Sequence, residues 1–143
     1  MNTTQTILKL IMLLVLATGI QSCKKSDTDT QPPSIFVMLP ATGDQFSTGT
    51  SVSVVATLHD YVELGKYRIE IRWNTNAQNI SSNPAVAPWV FLLEEPLSGN
   101  NQTINKKITI PGNIRLGNYD LTVYCTDKTG NESSGTEIIK ITG

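Results

Sequence analysis

Apolar and polar residues alternate along most of this chain with a period of two. Tyr67, Ile69, Ile71 and Trp73 alternate with Arg68, Glu70 and Arg72, and Tyr119, Leu121, Val123 and Cys125 alternate with Asp120, Thr122, Tyr124 and Thr126. Successive side chains of an extended strand point to opposite faces, so the pattern predicts strands buried on one face and wet on the other. The same phase recurs at Val52, Val54, Ala56 and Leu58, at Trp89, Phe91 and Leu93, at Ile104, Ile108 and Ile110, and at Ile139 and Ile141. The short apolar run Ile35-Phe36-Val37-Met38-Leu39, ended by Pro40, adds a strand at the front. Turn-forming clusters separate these runs: Pro40-Ala41-Thr42-Gly43-Asp44, Ser98-Gly99-Asn100-Asn101, Pro111-Gly112-Asn113 and Asp127-Lys128-Thr129-Gly130-Asn131. No amphipathic helical pattern of useful length competes.

Seven alternating strands in about 110 residues predict an all-β fold, an immunoglobulin-like antiparallel sandwich over residues 34–143. Two residues support that choice. Trp73 closes the third strand in the inward phase, and Tyr119 opens the sixth after Leu116-Gly117-Asn118, the place of a tyrosine corner. The competing arrangement is another Greek-key or partly open barrel.

Residues 1–22 follow a different pattern. Lys9 precedes the apolar run Leu10-Ile11-Met12-Leu13-Leu14-Val15-Leu16-Ala17, which is too short to span a bilayer and suits the core of an export signal. Ile20-Gln21-Ser22-Cys23 resembles a lipobox, with Gln21 its less usual member, and predicts cleavage before Cys23 and lipidation of that thiol. Several acyl chains on Cys23 would anchor the chain to a membrane, at roughly 0.8 kcal/mol per buried methylene. The competing explanation is an ordinary secretory signal with an incidental cysteine. Residues 23–33, lipidated Cys23 and then KKSDTDTQPP, read as a polar tether. If Cys23 carries lipid, the other cysteine, Cys125, has no partner for a disulfide. Its inward phase places it in the core as a small apolar side chain.

Charge narrows the functional classes. Eleven basic residues against twelve acidic ones give a net charge of −1, with no basic cluster to neutralise phosphates, which argues against a nucleic-acid partner. His59 is the single histidine and falls on an outward phase; no nucleophile elbow, P-loop or zinc spacing occurs. No enzyme is predicted. The strand directions bring two acidic loops to one end, with Asp60 and Glu63 on the first and Asp127 and Asn131 on the second. Three carboxylates and an amide oxygen suit a hard cation such as calcium. Turn chemistry is the competing explanation, with Asp127 capping its own hairpin. Residues 74–88, at the opposite end, form the longest loop. Its Asn74, Asn76, Gln78, Asn79 and Asn83 lie between Trp73 and Trp89, a combination suited to a sugar or a protein partner, unless both tryptophans are core residues and the loop is solvated. Sheet edges offer strand addition as a second binding mode. The pairs Lys106-Lys107 and Glu94-Glu95 read as solvated faces or edge protection.

The segments "PPSIFVMLP", "GTSVSV", "HDYVELGKYRIEIRW" and "LGNYDLTVYCTDKTGN", behind a lipobox and a polar tether, are similar to a family of small Bacteroidota lipoproteins defined as a domain of unknown function. The resemblance covers nearly the whole mature chain and implies an immunoglobulin-like sandwich. Relatives carry His-rich stretches after the strand matching Tyr67 to Trp73; residues 74–79 here contain no histidine, so no histidine-based metal role carries over. The expected protein is a lipid-anchored, non-catalytic module of the cell envelope, at the outer membrane on its periplasmic or cell-surface face. Its expected role is protein interaction or assembly. A glycan-binding surface lipoprotein and a calcium-binding, adhesin-like module are the alternatives.

Overall fold

The alternation of the sequence becomes eight strands in a computed structural model that describes residues 28–76 and 85–143. The expected signal, Cys23 and the loop residues Gln78, Asn79 and Asn83 lie outside the described residues. The strands are β1 (Ser34–Leu39), β2 (Gln45–Ser47), β3 (Ser51–His59), β4 (Leu64–Trp73), β5 (Phe91–Pro96), β6 (Asn101–Thr109), β7 (Gly117–Asp127) and β8 (Glu132–Thr142). They form a three-stranded sheet in the order β1-β3-β6 and a five-stranded sheet in the order β2-β8-β7-β4-β5. All pairings are antiparallel except β2 with β8. This is the predicted immunoglobulin-like sandwich, with one strand more than the alternation revealed. The extra strand arises because the chain leaves the first sheet after β1 and joins the second as β2, beside Lys140, Ile141 and Thr142.

The two inner faces are the apolar phases of the strands. Every second residue of β7, from Gly117 to Asp127, is buried. Val52, Val54, Ala56 and Leu58 of β3 meet Tyr67, Ile69 and Ile71 of β4 and Leu121, Val123 and Cys125 of β7 in one core. A one-residue slip in any of these strands would turn its apolar set to solvent, so burial itself fixes the register. Tyr119 is fully buried, and its hydroxyl donates to the carbonyl of Arg115 at 2.6 Å while accepting the N–H of Trp89 at 3.1 Å. The tyrosine corner is thereby realised, and it ties the approach to β7 to the start of β5.

Strand direction decides what gathers at each end. Ser34 pairs with His59, His59 with Asn101, and Leu64 with Asp127. The chain preceding β1, the β3–β4 loop, the β5–β6 turn and the β7–β8 hairpin therefore meet at one end of the sandwich. The long β4–β5 connection lies at the other. Glu94 and Glu95, expected as solvated or protective charges, make specific pairs: Glu94 with Lys66 at 3.1 Å, and Glu95 with Lys106 at 2.8 Å and with the hydroxyl of Tyr67 at 2.6 Å. The second pair joins β5 of one sheet to β6 of the other.

Candidate functional site

At the shared end, local turn chemistry sets the positions of the acidic residues. Asp60 ends β3. Its Oδ1 accepts the N–H groups of Val62 and Glu63, both at 2.8 Å, which bends the chain back toward β4. Asp127 ends β7. Its Oδ1 accepts the N–H groups of Thr129, Gly130 and Asn131 and the Thr129 hydroxyl, and its Oδ2 accepts Asn131 Nδ2 at 2.7 Å. Gly130 supplies the positive φ, 97°, that closes this hairpin. Burial opposes ionisation of Asp127, but the bonds from Asn131, Thr129 and Gly130 outweigh it and hold the carboxyl below its ordinary value.

Gly65 brings the two loops together. The β4–β7 register shifts between Leu64 and Lys66, and a Cβ at position 65 would sit 2.6 Å from the backbone oxygen of Asp127. Only glycine permits that approach. Asp60 and Asp127 are then almost wholly buried, 2% and 5% exposed.

The third member of the cluster comes from the expected tether. The backbone oxygen of Asp29 accepts Asn131 Nδ2 at 3.1 Å, with the Thr129 hydroxyl oxygen 3.3 Å away, and the Pro33 carbonyl accepts the Ser133 hydroxyl. The described end of that segment is thus docked on the β7–β8 hairpin and is not a free linker. One carboxylate oxygen from each of Asp29, Asp60 and Asp127 lies within 4.8 Å of the others. The sequence placed Asp60 and Asp127 at this end together with Glu63 and Asn131. Glu63 stands outside the three-carboxylate group, facing Lys128 Nζ at 4.0 Å. Asn131 is adjacent, but its amide nitrogen donates to the Asp127 carboxylate, the Asp29 backbone oxygen and the Thr129 hydroxyl oxygen, which makes it a clamp between the hairpin and the segment before β1. Asp29 was not singled out from the sequence. It bonds to residues about a hundred positions away, and no local pattern encodes that contact.

The other candidates are placed as follows. Trp89 is 6% exposed and packs beside Tyr119 and Phe91. Trp73 meets the Tyr119 ring edge-on, with the Arg115 guanidinium over its own ring. Asn74 is buried; its Nδ2 donates to Asp120 at 2.6 Å and its Oδ1 accepts the N–H of Asn76. Both tryptophans and Asn74 are thus engaged within the fold, while Asn76 is exposed. Cys125 is a free, fully buried thiol, pushed up to about 11 by burial and by the nearby carboxylates of Asp60, Asp127 and Glu132. The His59 ring contacts the Asn100 carbonyl at 2.9 Å and meets Tyr61 edge-on.

Comparison with known proteins adds the following. The chain is similar in fold to a DUF4466 family protein from Parabacteroides merdae, at a TM-score of 0.52 and 10% identity, covering 80% of this chain and 46% of that one. It therefore spans about half the length of that relative, and a likeness at this identity speaks for the fold alone. The fibronectin(III)-like modules of Clostridium thermocellum CbhA align at a TM-score of 0.45 and 16% identity, over 76% of this chain and 94% of theirs. No curated protein matches the sequence. Residues 21–142 match the family described as a domain of unknown function, DUF4625, and with nearly the whole chain matched the protein belongs to that family.

Proposed function

We propose that this protein is a lipid-anchored, non-catalytic module of the bacterial cell envelope that binds another protein along the free edge of β5. The observation that carries this reading is the composition of that edge. Val90, just before β5, and Leu92 on it are 64% and 61% exposed. Leu92 lies opposite Glu70 on β4, whose outward neighbours Arg68 and Arg72 both pair with that carboxylate. Arg68 also stacks over the ring of Tyr124 on β7, 4.1 Å from its centre. Arginine and tyrosine are enriched at protein interfaces, and Val90 and Leu92 add exposed apolar area beside them. Among the described residues β5 is paired on one side only, and such a strand can also accept a partner strand. The apolar edge of β1 is a poorer template, because its register breaks between Val37 and Leu39 and the chain then crosses to the other sheet.

Two observations support the anchor at Cys23. The lipobox-like segment stands directly before the polar residues that lead to β1, and the exposed Tyr61 and Val62 lie at the same end as that lead. Fractionation of cells expressing Cys23→Ala should move the protein out of the membrane pellet; wild-type partitioning would end the anchor. Photo-crosslinking from position 92 in intact cells tests the interface. Discrete adducts that disappear in a Val90→Glu background are expected, and adducts that persist unchanged, or never rise above background, would sink it.

A further inference from the structure

The geometry points to a calcium site formed by Asp29, Asp60 and Asp127, one that binds the segment before β1 to the end of the sandwich. Three carboxylates crowd together there, and each could shed part of their mutual repulsion by moving toward solvent. They are instead held inward. Asp60 is 2% exposed and gives one oxygen to the Val62 and Glu63 amides, while no donor among the described residues reaches its second oxygen. Asp29 Oδ2 is closed off from solvent and has no hydrogen-bond partner among the described residues. A buried carboxylate oxygen without a donor is costly unless a cation meets it. Lys128, the basic residue of the adjoining hairpin, is directed at Glu63.

The spacing favours calcium. Oxygen ligands lie roughly 2.4 Å from Ca²⁺, so two of them stand at most about 4.8 Å apart, the separation within which these three oxygens fall. Magnesium, at about 2.1 Å with strict octahedral demands, would require a tighter set. Three carboxylates from three separate segments also suit a hard, strongly charged ion. Asn131 acts as a support: by donating to Asp127 Oδ2 and to the Asp29 carbonyl it holds two of the three ligand residues in place. This inference is independent of the β5 interface.

The test uses the full chain, purified in detergent, stripped with EDTA and titrated with calcium chloride and, separately, magnesium chloride. Calorimetry should show one calcium bound per chain, with a melting temperature raised by several degrees and a much weaker response to magnesium. Asp29→Asn should weaken calcium binding about tenfold or more in a chain that still melts cooperatively without metal. Asp60→Asn should weaken it similarly. No heat and no thermal shift at millimolar calcium, in a chain that still melts cooperatively, would overturn the site. So would a metal-free protein that is stabilised on mild acidification and indifferent to calcium, since the carboxylates would then be sharing a proton. Calcium binding undiminished in Asp29→Asn would overturn the clamp on the segment before β1.

Discussion

Tyr119 does more than fill space. Its hydroxyl bonds one half-buried carbonyl and one buried N–H, so removing it breaks both bonds. Tyr119→Phe keeps the ring and its contacts with Trp73 and Trp89, and should cost about 1–3 kcal/mol in denaturant unfolding. A shift in midpoint with unchanged slope would assign the loss to these bonds. Cys125 gives a second prediction at this scale. A fully buried thiol pushed up to about 11 is neither accessible nor ionised at neutral pH. Iodoacetamide at pH 8 should therefore leave position 125 unlabelled in the folded chain and label it rapidly in guanidinium; equal rates in both would contradict its burial.

At the scale of elements, the β3–β4 and β7–β8 turns act as one unit because β4 carries Gly65. Gly65→Ala would force a Cβ into the Asp127 and Thr126 carbonyls, which are backbone atoms and cannot rotate away. A loss of roughly 1–3 kcal/mol is expected by thermal melting, as for overpacking elsewhere. The β7–β8 hairpin also has an acid signature. The Asp127 carboxyl is held below its ordinary value in the fold, so the unfolded chain binds the additional proton. Its stabilisation is complete above the unfolded carboxyl range, about 4, and fades as pH falls further. Asp127→Asn should flatten that part of the stability profile. The strands that carry a clear period of two, such as β4 and β7, were legible from sequence because both faces report on burial. The three residues of β2 hold a single apolar side chain, Phe46, and depend on a parallel pairing with β8, so no local pattern announces them. That β5 pairs with β4 is a tertiary pairing, which alternation does not record. The acidic end was legible in part, since strand direction brings Asp60 and Asp127 together. Asp29 was not, because a polar stretch with two prolines reads as linker until its contacts across the fold are seen.

For the molecule as a whole, one side-chain link between the sheets is the Tyr67–Glu95–Lys106 group. Burial and the bond to Glu95 push the Tyr67 phenol up to about 12, while Lys106 is raised and Glu95 lowered by their mutual pairing. A phenol that ionises later when folded stabilises the fold below its unfolded value of about 10, and loses that contribution as pH climbs toward 12. Alkaline melting curves should therefore fall between those limits, and Tyr67→Phe should shift that fall; an identical alkaline limb in the variant would remove Tyr67 from the account. The direction of β1 has a mechanical consequence. β1 begins at the end where the preceding segment docks and runs away from it, antiparallel to β3 from Ser34 at His59 to Leu39 at Val55. Tension on that segment acts along the axis of β1, so the rungs of the β1–β3 ladder resist in shear together and are not peeled one after another. A domain joined to its surroundings in this way meets a pulling force along its strongest direction.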